Sequence, residues 1–174
     1  FNVLANNSRN ARSAVVTIGA RTLTVSQAGV SSAVFDFDGD GKGDISIYRN
    51  GVWYLQQSTA GVAVTQFGLP ADKLVPADYD GDGKTDVAVF RDGAWYVLQS
   101  SNGQFFATQF GIAGDVPLPA DYDGDGKSDF AIFRPSEGSW WLNRSTAGIF
   151  ATPFGTATDK PVPADYSGDG KVDI

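Results

Sequence analysis

The chain of 174 residues contains no cysteine, no methionine and no histidine. Without cysteine there is no disulfide framework, and without thiolate or imidazole there is no ordinary site for zinc, haem or an iron–sulfur cluster. Serine or cysteine nucleophiles activated by histidine are excluded for the same reason. No apolar run approaches the ~20 residues that a spanning helix requires, so no membrane insertion is expected. Basic residues are also scarce, 13 against 20 acids for a net charge of −7, which argues against nucleic acid or an anionic membrane as partner. The chain opens on Phe1 rather than Met and stops inside a repeat, so it is expected to be a segment of a longer protein, with any export signal out of view.

What is present is unevenly placed. Fifteen of the acids fall in four nine-residue segments, 36–44 (DFDGDGKGD), 78–86 (DYDGDGKTD), 121–129 (DYDGDGKSD) and 165–173 (DYSGDGKVD). With their four lysines these segments carry −11, and the remainder, with five acids and nine bases, carries +4. Carboxylates so close together repel unless a cation neutralises them. Oxygens at positions 1, 3 and 5 of a tight loop converge, glycines at 4 and 6 permit the wrap, the carbonyl of position 7 adds an oxygen, and Asp at position 9 closes the shell.

The candidate ligands are therefore Asp36, Asp38, Asp40, Lys42 and Asp44; Asp78, Asp80, Asp82, Lys84 and Asp86; Asp121, Asp123, Asp125, Lys127 and Asp129; and Asp165, Ser167, Asp169, Lys171 and Asp173, each lysine through its carbonyl. Six or seven hard oxygens in a flexible loop suit Ca²⁺ better than Mg²⁺, and up to four Ca²⁺ are expected. Ser167 offers a neutral oxygen at position 3, which predicts weaker binding in the fourth loop. Turn chemistry accounts for an Asp–Gly pair but not for four acids in fixed places. An EF-hand would need Glu at position 12, where Ile47, Val89 and Ile132 stand, and the runs that follow the loops (ISIYR, VAVFR, FAIFR) read as strands rather than helices.

The loops recur at intervals of 42, 43 and 44 residues, and more than the loops repeats. Arg49, Arg91 and Arg134 each follow the first Asp by 13 residues; Trp53-Tyr54, Trp95-Tyr96 and Trp140-Trp141 come next, then Ser58, Ser100 and Ser145, then Phe67-Gly68, Phe110-Gly111 and Phe154-Gly155. In the third copy the strands are expected at 117–122, 130–134, 139–143 and 149–154. Four strands in such a period predict an all-β fold of β-propeller-type, four-stranded antiparallel blades, three complete and a fourth begun. Strand VAVFR is apolar on both faces, as a blade held between two neighbours requires.

The acidic loop, the V/I-A-V/I-F-R strand, the Trp-Tyr pair and the Phe-Gly pair resemble FG-GAP (VCBS-type) repeats, the calcium-loop blades of integrin-α-like β-propellers, over 31–174. The resemblance implies Ca²⁺ at the loop residues above and an extracellular or cell-surface protein. Residues 1–30 read as a β-hairpin, with strands at 13–18 and 21–27, and are similar to the last strands of a BACON domain, an Ig-like module, which implies a bacterial multidomain protein.

Arg49, Arg91 and Arg134 are expected to pair with Asp72, Asp115 and Asp159, on the face opposite the loops, rather than to bind ligand. One residue of each of the aromatic pairs is expected between blades. Arg134, Glu137, Trp140 and Trp141 form a candidate ligand face, which keeps a carbohydrate-binding module open as the alternative to a structural, adhesion or assembly role; a non-catalytic domain of a secreted hydrolase is a third reading. No acid pair outside the loops breaks the repeat, so no enzyme activity is expected. Expected partners are calcium, glycans or surface proteins, and other copies of the chain joined at open blade edges.

Overall fold

The computed structural model describes residues 12–18, 21–27 and 34–174. Among them there is no helix, hence none long and apolar enough to cross a membrane. The hairpin forms as expected, β1 (Arg12–Ile18) against β2 (Arg21–Gln27) with Ile18 opposite Arg21. The rest of the segment compared with a BACON domain lies outside the described residues.

Three antiparallel meanders follow. The first has β3 (Ile45–Arg49), β4 (Val52–Gln57) and β5 (Gly61–Gln66). The second has β6 (Lys73–Leu74), β7 (Val87–Arg91), β8 (Ala94–Leu98) and β9 (Phe105–Gln109). The third has β10 (Val116–Pro117), β11 (Phe130–Arg134), β12 (Ser139–Arg144) and β13 (Gly148–Pro153). Two sheets are thus the expected four-stranded blades, and the first shows three strands among the described residues; the counterpart of β6 there would fall at 31 and 32, outside them.

The first strand of a blade is shorter than expected. In the third blade it covers Val116–Pro117 instead of 117–122, and pairing resumes only at a bridge from Ala120 to Asp129. Pro117 and Pro119 have no N–H to give the ladder, so only Leu118 donates between them, to the Ala131 carbonyl.

Why each meander folds is local. Asn50-Gly51 and Asp92-Gly93 are two-residue turns with all four residues at positive φ, the hairpin geometry that matches strand twist. Gly93 also lies so close to the Gly111 carbonyl that a Cβ would stand 2.3 Å from its oxygen. The Phe-Gly pair thereby closes against the turn of its own blade.

Packing between blades supplies the core. Trp53 and Leu55 of the first blade meet Val87 and Val89 of the second. From its other face, Ala88, Phe90, Trp95 and Val97 meet Ile132 of the third, with Phe130 and Trp141 packed alongside. Ala131 and Leu142 of the third are in turn packed by Val172 and Ile174. Trp53, Trp95 and Trp140 are buried, each indole N–H donating to the carbonyl of Phe67, Phe110 or Phe154 (3.0, 2.8 and 3.1 Å). A buried indole needs such a partner, and this bond is the physical link between the Trp and Phe-Gly positions of the repeat.

Candidate metal loops

In every loop the backbone wraps the position-1 carboxylate in the same way. Asp36 accepts from the N–H of Gly39 (2.7 Å) and Gly41 (2.8 Å), Asp78 from Gly81 and Gly83, Asp121 from Gly124 and Gly126, and Asp165 from Gly168 and Gly170. The glycines at positions 4 and 6 sit at positive φ, near +80° and +90°, in all four copies. The position-9 carboxylate ties the loop shut: Asp44, Asp86, Asp129 and Asp173 each accept from the N–H of position 2, at 2.8 to 3.0 Å.

These bonds bring ligand oxygens together in three loops. One oxygen each of Asp36, Asp38 and Asp40 lie within 4.8 Å of one another; in the second loop the trio is Asp78, Asp80 and Asp86, and in the third Asp121, Asp123 and Asp129. Asp44, Asp82 and Asp125 stand outside these trios. Asp44 uses both oxygens on backbone N–H groups, of Phe37 and Ser58, as Asp86 and Asp129 do inside their trios. Asp82 and Asp125 face the hydroxyls of Ser100 and Ser145, as Asp40 does that of Ser58. No trio forms among Asp165, Ser167, Asp169 and Asp173.

The donor set is oxygen alone, the chemistry of a hard divalent cation such as Ca²⁺. Asp123 tests the fit directly. Its Oδ2 takes three hydrogen bonds, from the Thr146 N–H, the Thr146 hydroxyl and the Ala147 N–H, at 2.9, 2.7 and 2.9 Å. Its Oδ1 is buried and has no hydrogen-bond partner. A bare buried carboxylate oxygen beside two further carboxylates is costly, and a cation among the three satisfies it.

The electrostatics agree with a loop built to hold charge. Burial pushes Asp86 up to about 6, against the N–H groups of Ser100 and Tyr79, and pushes Asp129 up as well. Asp38 is held low by the N–H groups of Ala60 and Thr59, and Asp40 well below the usual range by Ser58, Thr59 and Lys42. Burial would raise Asp123, but its bonds to Thr146 and Ala147 outweigh this and keep it low. Asp165 is lowered by the Gly170 N–H.

Successive loops are joined. The position-8 N–H donates to the position-1 carbonyl of the preceding loop: Thr85 to Asp36 (2.6 Å), Ser128 to Asp78 (2.6 Å) and Val172 to Asp121 (2.8 Å). The stems of Lys84, Lys127 and Lys171 lie against Gly39, Gly81 and Gly124, so that a Cβ on Gly81 would stand 3.1 Å from Lys127 Cγ. Lys42 instead pairs with Asp40 in its own loop (3.0 Å). The position-2 aromatics anchor the loops below. Tyr79 and Tyr122 are buried and donate to the carbonyls of Val75 and Leu118, and Tyr79 stacks on Phe130 of the next blade at 5.2 Å. Sequence reasoning passed over this position, although an aromatic residue recurs there in every copy.

On the opposite face two of the three expected Arg–Asp pairs form, each within a blade. Arg91 makes two bonds to Asp72 (2.6 and 2.7 Å) and Arg134 two to Asp115 (both 3.0 Å). Arg49 has no aspartate at the corresponding place, which is Val30, and Asp159 accepts from the Thr156 N–H. Each guanidinium also covers the second aromatic of its blade: Arg49 over Tyr54, Arg91 over Tyr96 and Arg134 over Trp141, at 5.5, 4.9 and 5.2 Å. Of the candidate ligand face, Trp140 is buried, Trp141 is half-buried under Arg134, and Glu137 lies 3.5 Å from Arg134.

Stacked antiparallel sheets, the second and third with an oxygen-lined acidic loop between their first two strands, define propeller-type repeats. The FG-GAP-like repeat model matches residues 121–174, the span from the third loop through the fourth. No curated protein and no solved structure matches the chain.

Proposed function

We propose that the chain is a calcium-binding β-propeller segment with a structural role, in adhesion or assembly, in an extracellular setting. The observation that carries the calcium reading is Asp123, whose Oδ1 is buried without a hydrogen-bond partner and which has an oxygen within 4.8 Å of oxygens of Asp121 and Asp129, inside the segment that matches the FG-GAP-like repeat. Asp121, Asp123 and Asp129 would hold the ion in the third loop, and the other two trios would do the same in theirs. The ion supplies charge neutralisation, and the chain's part is to orient oxygens that the fold has already placed. Extracellular calcium, in the millimolar range, fills such sites even at modest affinity. No catalytic role belongs to this proposal.

Scanning calorimetry of the chain in calcium and in EDTA tests it. A large drop in melting temperature on chelation is expected, because an ion bound to the folded state alone stabilises that state. Equal melting temperatures in the two buffers defeat the calcium reading.

A further inference from the structure

The serine that recurs in every copy has no part in the strands or the trios, yet the fold brings it to the loops. In each blade the turn between the last two strands folds back over the acidic loop of the same blade. Ser58, Ser100 and Ser145 donate their N–H to the position-9 carboxylates Asp44, Asp86 and Asp129, each at 2.7 Å. Their hydroxyls donate to the position-5 carboxylates, Asp40, Asp82 and Asp125 (2.6, 3.0 and 2.6 Å). The next residue reaches position 3: the Thr59 N–H bonds Asp38, the Ser101 hydroxyl Asp80, and Thr146 bonds Asp123 with both its N–H and its hydroxyl.

We propose that this hydroxyl turn is the positioning device of the metal loops, setting their affinity by aiming carboxylates that it does not itself replace as ligands. The third loop shows how. Thr146 and Ala147 give all three of their donors to Asp123 Oδ2, while Ser145 holds Asp125 and Asp129. Asp123 Oδ1 is thus left bare, in a residue that has an oxygen within 4.8 Å of oxygens of Asp121 and Asp129. A carboxylate pinned by one oxygen presents the other in a single orientation, so little ordering is left to the binding step.

This inference rests on the calcium reading, and the test separates the two. Calcium titrations followed by calorimetry compare the unaltered chain with a Ser58→Ala/Ser100→Ala/Ser145→Ala variant and with its Ser→Thr counterpart, which keeps the hydroxyls. Melting temperatures are recorded for each in EDTA. The alanine variant is expected to need about tenfold more calcium for half-saturation, the usual range for outer-shell partners. The threonine variant should recover most of that loss, with little change in EDTA. Should the alanine variant not fold, Thr146→Val alone, which leaves the backbone donors in place, is expected to weaken one site in the same sense. An unchanged titration, or a melting temperature lowered equally with and without calcium, overturns the positioning role. If the unaltered chain takes up no calcium, the calcium reading itself fails, and this inference with it.

Discussion

Ile47 and Ile132 are the same residue at the same place in two blades, yet Ile47 is 53% exposed and Ile132 fully buried. The contrast lies on one face of the first blade. In the first blade Ile45, Ile47, Tyr54, Val62 and Val64 are exposed, whereas in the second Val87, Ala88, Val89 and Phe90 are all buried. The meanders have nearly the same registers and the same turns. The difference is that the second blade has a neighbour on each side and the first has its partner on one side alone among the described residues. An apolar strand pattern thus states what a blade is made to contact; the stack decides whether the contact exists.

The first way to break this comparison is to cut equivalent side chains. Trp95→Ala should cost about 4 kcal/mol and Ile132→Ala about 3 kcal/mol, since each leaves a cavity between blades. Ile47→Ala should cost under about 0.5 kcal/mol, as surface changes do. Denaturant titration of the three variants decides the matter; a loss at Ile47 as large as that at Ile132 would mean the outer face of the first blade is covered in solution.

The Arg row offers a second comparison. Asp115→Asn weakens a two-bond ion pair whose aspartate is almost wholly buried, and about 2 kcal/mol of stability should go with it. Arg49→Ala, with no aspartate opposite, should show a far smaller change. Thermal melts of the pair of variants read this directly.

Acid sharpens the same contrast. Burial acts to raise Asp72, but Arg91 and the Leu69 N–H outweigh it and hold the carboxyl below its ordinary value. A depressed folded-state pKa stabilises the fold above the unfolded value, near 4, and the contribution is lost as pH falls through the lower one. Melting temperature followed from pH 6 to pH 3 should therefore fall less steeply for Asp72→Asn than for the unaltered chain. Parallel curves would show that the pair adds no pH-dependent stability.

The smallest effect is expected at the fourth loop. Ser167→Asp restores the fourth acid and should strengthen calcium binding there severalfold without moving the other sites, as a titration calorimeter would register. Identical titrations would show that the missing acid does not limit this loop.

Much of the molecule was legible in the residues themselves. The hairpin strand at 21–27, the strand at 130–134, two of the Arg–Asp pairs and one buried residue in each aromatic pair followed from period, alternation and spacing. The short first strand was misjudged because two prolines interrupt its ladder, a backbone effect that a count of apolar residues does not register. The serine turn was visible as a repeat but had no assignable role, since its partners lie 14 to 23 residues away across the sheet.

The sequence by itself determined the loops, because an Asp–Gly wrap is built from hydrogen bonds spanning three to seven residues and needs no help from elsewhere. It determined the blade as a unit for the same reason: turn and strand patterns act over a few residues. Only the tertiary structure decided which apolar faces are covered, how one loop is tied to the next through Thr85, Ser128 and Val172, and where the hydroxyl turn aims the carboxylates. Those contacts join residues far apart in the chain. They exist only once the meanders have folded and stacked, since burial and metal geometry are properties of neighbours rather than of any one segment.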